Sequence, residues 1–311
     1  MKTEINVGGA SWFDSAVPPG TTDQTLMIES ASAKLFTVVY PKAGAETVVL
    51  LHGGPGVPMD FSPIVEILMK KYQVIAFDQR GTGRSPAEGA TYSMDEYIKD
   101  VDAVTRHFQV SRFHLFGHSW GGLYAQIYAE KYPQNILSLF LSGPASGTGK
   151  LWKRTESEVM AFNREHSSIW VWTMMGVASL LGMLGSDRAY QSLFRRVLKN
   201  YNGEFDPSFI TTDAMVENVR AIPINRTRSQ IVRYTPLRDA PEFDFPIMIA
   251  YGQRDIYAES KQSVKRRYPG ATVVEIENAG HLPWIHNRNE FNNILTLFFH
   301  ISDEKSGSLL K

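Results

Sequence analysis

The chain has 311 residues, 43% hydrophobic and 21% charged, a balance that supports a large buried core and argues against disorder. Lys+Arg and Asp+Glu both number 32, so no net charge draws the molecule toward nucleic acid or an anionic membrane. Cysteine is absent, which removes disulfide scaffolds, thiol nucleophiles and cysteine metal sites.

The N-terminal MKTEINVGGASWFDS has no sustained apolar run and no small-residue cleavage site, so no signal peptide is expected and the protein is read as soluble and cytoplasmic. Two early strands are predicted, Thr25–Ile28 and Leu35–Tyr40. Six short apolar runs follow: Thr47–Leu51 before HGGPG, Val74–Phe77 before DQRGTGRS, Phe113–Phe116 before GHSWGG, Leu137–Leu141 before SGP, Ile247–Tyr251 before GQRD, and Thr272–Ile276 before NAGH. Helical patterns lie between and after them: Pro63–Lys70, Met94–Phe108, Leu123–Lys131, Ala258–Tyr268 and Glu290–His300. Strands alternating with helices predict an α/β fold, a mostly parallel central sheet flanked by helices, with functional groups gathered at the carboxyl ends of the strands. Residues 145–239 break the alternation and read as a helical cap insertion; 1–144 and 240–311 form the core. The longest apolar stretch, Ile169 to Leu184, falls short of the roughly 20 residues that span a bilayer. It is expected to be a buried or groove-lining helix, with interfacial membrane contact as the lesser reading. The final SDEKSGSLLK reads as a frayed tail.

GHSWGG sits between a strand and a helix, so its G-x-S-x-G places Ser119 on a sharp elbow with the hydroxyl exposed. A serine hydroxyl needs a base, and the base needs a carboxylate to hold its tautomer. His281 and Asp255 both follow strands at the same sheet edge, in the chain order serine, acid, histidine. His118 is a competing base, but adjacent side chains on a tight turn point apart, which leaves it a packing role; His286 is read as a rim residue. Negative charge on the reacting oxygen calls for backbone N–H donors. Trp120, directly after the nucleophile, and Gly54 in the HGGPG loop are assigned that part. DQRGTGRS lacks phosphate-loop spacing, so Asp78 and Arg80 are read as ties between loops.

Taken together, HGGPG, DQRGTGRS, GHSWGG, the GQRD aspartate and the AGH histidine resemble the α/β-hydrolase superfamily, in its prolyl iminopeptidase-like branch that includes the tricorn-interacting aminopeptidases. The resemblance covers about 40–144 and 240–300. It implies a Ser119, Asp255, His281 triad with Gly54 and Trp120 donating to the oxyanion, and no metal or other cofactor. It also implies removal of N-terminal residues, often proline, from short peptides or amides. The cap departs from the branch. No Trp-Glu pair occurs, and Ile256 follows Asp255 where the tricorn-associated enzymes carry an acid. Glu217 and Glu204 are the remaining candidates for an amine site, and the aromatic, Met-rich segment from Trp170 offers an apolar pocket instead. Three classes therefore stand: a serine aminopeptidase, an esterase or lactonase for a hydrophobic ester, and a non-catalytic binding protein on the same fold. The partner expected is a small molecule or short peptide, not nucleic acid, with no membrane span and the oligomeric state open.

Overall fold

The computed structural model describes residues 23–308. The reading of the N-terminal fifteen residues as lacking a leader lies outside them. Eight strands form one sheet: β1 (Gln24–Ser30), β2 (Ala33–Tyr40), β3 (Thr47–Leu51), β4 (Gln73–Phe77), β5 (Phe113–His118), β6 (Ile136–Ser142), β7 (Ile247–Gly252) and β8 (Thr272–Ile276). Their spatial order is β1-β2-β4-β3-β5-β6-β7-β8. β2 runs antiparallel to both β1 and β4, and β4 through β8 pair in parallel. From β3 the chain passes to β4 on one side and then to β5 on the other. That reversal opens a crevice at the carboxyl ends of β3 and β5, where HGGPG and GHSWGG lie.

The apolar strands divide by alternation. Val49 and Leu51 of β3, Ile75 and Phe77 of β4 and Leu139 and Leu141 of β6 enter one core layer. Val48 and Leu50, Val74 and Ala76, and Phe140 enter the other. The first layer is closed by α2 (Met94–His107), α3 (Trp120–Lys131) and α8 (Glu259–Arg267), through Val101, Val104, Tyr124, Tyr128 and Val264. The second is closed by α1 (Ser62–Leu68), α9 (Pro283–His286) and α10 (Arg288–Ser308), through Ile64, Leu68, Trp284, Phe291 and Phe299. Burial on both faces explains why these strands carry unbroken apolar runs rather than alternating ones.

Between β6 and β7 the described residues form four helices and no strand: α4 (Lys150–Glu165), α5 (Ile169–Met183), α6 (Asp187–Asn202) and α7 (Ala221–Arg233). Ser168 and Ser186 cap α5 and α6 by accepting from Val171 N and Ala189 N. The insertion is tied to the core by the Tyr97 and Thr227 hydroxyls at 2.7 Å and by Arg220 N donating to Gly56 O at 3.0 Å.

Two expectations change. The Ile169–Leu184 segment is helical as expected through Met183, but it is not buried: Met175 and Gly182 alone on α5 are buried. The insertion covers α5 from one side only, and a helix apolar around its whole circumference carries no polar face to announce which side meets water. The last helix also runs on through Ser308, past the expected end at His300, since no Pro or Gly interrupts it before Gly307.

Candidate active site

Ser119 joins β5 to α3 with φ 54° and ψ −117°, a conformation that non-glycine residues rarely hold. Its backbone is fixed on both sides: Ser119 N donates to Ser142 O at 3.1 Å, and Ser119 O accepts from Ala145 N at 3.0 Å. The turn closes because Gly121 has no side chain; a Cβ there would collide with the Leu51 and His52 carbonyls of the β3 end.

Three distant stretches converge on this elbow. His281 Nε2 lies 3.0 Å from Ser119 Oγ, and His281 Nδ1 lies 3.1 Å from Asp255 Oδ1. The His281 and Asp255 side chains are 4% and 0% exposed, so the pair is shielded from bulk water. A carboxylate only accepts, so His281 donates from Nδ1 and presents a bare Nε2 to the serine hydroxyl. Asp255 Oδ1 also accepts from Tyr257 N at 3.1 Å, while Asp255 Oδ2 is buried and has no partner among the described residues.

The oxyanion candidates are Gly54, in the turn after β3, and Trp120, the first residue of α3. Gly54 holds φ +62°, and its carbonyl accepts from Val57 N to close the HGGPG turn. Neither the Gly54 nor the Trp120 amide donates to any described residue. Gln79 holds the two segments together. Its backbone N donates to His52 Nε2 at 3.1 Å and its Nε2 to His52 O at 2.8 Å, while its Oε1 accepts from Trp120 Nε1 at 2.8 Å. With Nε2 accepting, His52 donates Nδ1–H to Gly53 O at 2.9 Å and is the neutral tautomer; burial lowers its pKa to about 4.

Arg80 and Asp78 tie loops. Arg80 is fully buried, paired with Asp100 at 2.7 and 2.8 Å and donating to Glu96 O. Asp78 accepts from Arg84 N, and burial raises its pKa to about 6.

His118 packs rather than reaching the serine. Its Nδ1 donates to Ser142 O, and its ring lies 4.7 Å from His281 and 4.6 Å from Trp284. Burial drives its pKa well below the usual histidine range. His286 is more than a rim residue: it accepts from Gly280 N, faces Asn202 Oδ1 and stacks on Phe205 at 4.1 Å, linking the insertion to the His281 loop.

The three candidates for substrate contact lie in different surroundings. Glu204 is paired with Arg254, Glu217 is exposed, and Trp170 is 71% exposed. None of the three hydrogen-bonds to Ser119, Asp255 or His281. The site does hold residues the motifs did not announce. Tyr257 OH lies 3.2 Å from Ser119 Oγ, and burial keeps that hydroxyl protonated well above the ordinary phenol range. Tyr201 from α6 and Tyr257 meet the His281 ring edge-on at 5.5 and 5.0 Å. Glu158 of α4 accepts from Ala258 N and Ser260 N, holding the start of α8. No motif in the sequence announced Tyr257, Tyr201 or Glu158.

A model of the α/β hydrolase fold family matches residues 46–287. The proline iminopeptidase of Clostridioides difficile (strain 630) is 24% identical over 279 residues, covering 84% of this chain and 92% of its own. The crystal structure of proline iminopeptidase from Mycobacterium smegmatis superposes with a TM-score of 0.66 at 17% identity, over 91% of this chain and 100% of that one. Carboxylesterase CesB from Bacillus subtilis does so at 0.61 and 14%, over 90% and 92%. At these identities the solved structures establish likeness of fold.

Proposed function

The chain belongs to the α/β-hydrolase family, and from that premise we propose that it is a serine hydrolase working through an acyl-enzyme. One observation carries the reading: the 3.0 and 3.1 Å relay from Ser119 through His281 to Asp255, built from three separate stretches of chain. Ser119 Oγ attacks a carbonyl carbon while His281 Nε2 takes its proton, and Asp255 steadies the imidazolium. The oxygen that turns negative sits between the Gly54 and Trp120 amides, each such donor being worth about 2.7–4 kcal/mol. His281 then gives its proton to the leaving nitrogen or oxygen, leaving an ester on Ser119. Water, deprotonated by the same histidine, releases the acid and restores the serine. The four-helix insertion acts as the cap of 145–239, bringing Tyr201 beside His281.

The substrate class is an aminopeptidase's: N-terminal residues, proline among them, released from short peptides or amides. The extent of similarity to the iminopeptidases supports it. A second reading, an esterase or lactonase for an uncharged hydrophobic substrate, is favoured by one specific observation. Glu204 is engaged by Arg254 and Glu158 by two amides, so neither stands free to meet a cationic amine. A fluorophosphonate probe labels the wild type and spares Ser119→Ala. Absence of labelling points to the non-catalytic binding protein. A panel of aminoacyl arylamides, acyl esters and lactones separates the substrate classes, and turnover of esters with none of free-amine amides rejects the peptidase.

A further inference from the structure

The outer half of α5 is apolar and bare. Ile169 is 80%, Trp170 71% and Met174 50% exposed, and Val177, Leu181 and the C-capping Leu184 continue the face. No charged residue occurs from 166 to 186. Isolated apolar residues on a surface are ordinary, but a contiguous face of this kind marks a contact. Its width matters. A coiled-coil partner covers a narrow stripe, whereas here Thr173, Gly176, Leu180 and Met183 are exposed as well, so about half the circumference faces out. A flat, fluid phase fits such a face better than a second helix.

Charge separates the possible occupants. α6 packs along α5, with Tyr190 of α6 filling the space over Gly182, and the exposed positions of α6 include Arg188, Arg196 and Lys199. None of these three makes an ion pair with a described residue. Between residues 150 and 233 there are twelve Lys+Arg against eight Asp+Glu, in a chain whose totals are equal. Two copies meeting through α5 would bring like-charged insertions together; an anionic surface takes up the same charge favourably. No described helix is long and apolar enough to cross a membrane, and α5 has 15 residues, so the contact lies in the plane of the surface.

The geometry points to α5 as a membrane-surface contact, its outer face seated in the interfacial layer of an anionic bilayer with Arg188, Arg196 and Lys199 among the headgroup phosphates. Seating on lipid is independent of which acyl bond Ser119 cleaves. The test is co-sedimentation of the full chain with vesicles of phosphatidylcholine alone and of phosphatidylcholine mixed with phosphatidylglycerol. Binding is expected on the mixed vesicles, weakened by salt. It should fall about tenfold or more in Arg188→Glu/Arg196→Glu/Lys199→Glu. A comparable fall is expected in Met174→Ser/Leu181→Ser/Leu184→Ser, with the melting temperature of both variants checked against wild type. A wild type that stays in solution with both lipids overturns the proposal, as does equal binding to both. So does a dimer in sedimentation velocity that the α5 variant converts to monomer, which would make this face an interface between copies.

Discussion

The Ser119 hydroxyl has two neighbours with opposite duties. His281 Nε2 is bare and accepts, so Tyr257 is the donor to the serine oxygen at 3.2 Å. Tyr257→Phe removes one hydrogen bond, worth about 1 kcal/mol net, so kcat/KM should drop roughly fivefold with the melting temperature nearly unchanged. An unaltered kcat/KM would leave Tyr257 as packing against His281. Asp255→Asn bears on the imidazole itself. The amide can hold His281 in the wrong tautomer, and a fall of about 10⁴-fold in kcat with retained stability is expected from steady-state kinetics and thermal melting. The motifs pointed to Ser119, His281 and Asp255 because each lies in a turn directly after a strand, at the same edge of the sheet. None pointed to Tyr257, because no spacing rule connects a loop tyrosine to a serine 138 positions earlier.

At the scale of elements, the crevice depends on a few buried polar side chains. Gln79, in the turn after β4, bonds the end of β3 through His52 and the start of α3 through Trp120. Gln79→Leu strands the His52 carbonyl and the Trp120 indole N–H. At about 1–3 kcal/mol for each unsatisfied group, urea unfolding should show a loss of roughly 2–5 kcal/mol. Because the two oxyanion candidates sit on the elements it joins, kcat should fall more than KM rises. Arg80 does comparable work farther out, joining α2 to the loop at Thr91. Asp100→Ala removes the closer of the two carboxylates on its buried guanidinium and leaves only Glu96 at 3.5 Å, at a cost of about 3–5 kcal/mol in the same measurement. DQRG announced a tight turn in the sequence, but the partners of Gln79 lie 27 residues before it and 41 after. No local pattern carries that information.

Across the whole molecule, several histidines are held neutral by burial. His52 and His286 both titrate at about 4 in the folded protein, against 6.5 when free. Between pH 6.5 and 4 the unfolded chain therefore binds more protons, and the stability they contribute, full above 6.5, is lost as pH falls toward 4. Asp78, raised to about 6, acts in the opposite sense from its free value of 3.8 up to about 6. The clean measurement is thus a difference: the stability of wild type relative to His286→Gln should shrink steadily from pH 6.5 to 4. A flat difference would mean that His286 already titrates normally in the fold.

The alternation of apolar runs and helices was sufficient by itself for the parallel sheet, since strands buried on both faces have no other use for so much Val, Ile and Leu. Glycine spacing around Ser119 located the elbow, because only a residue without a side chain fits against the β3 carbonyls. The insertion resisted such reading. Its helices pack through contacts between remote positions, so whether α5 faced inward or outward, and which side chain pairs with Glu204, was decided by tertiary packing alone. Local chemistry specifies what a segment can become; its neighbours, which have no signature in its own residues, specify what it touches.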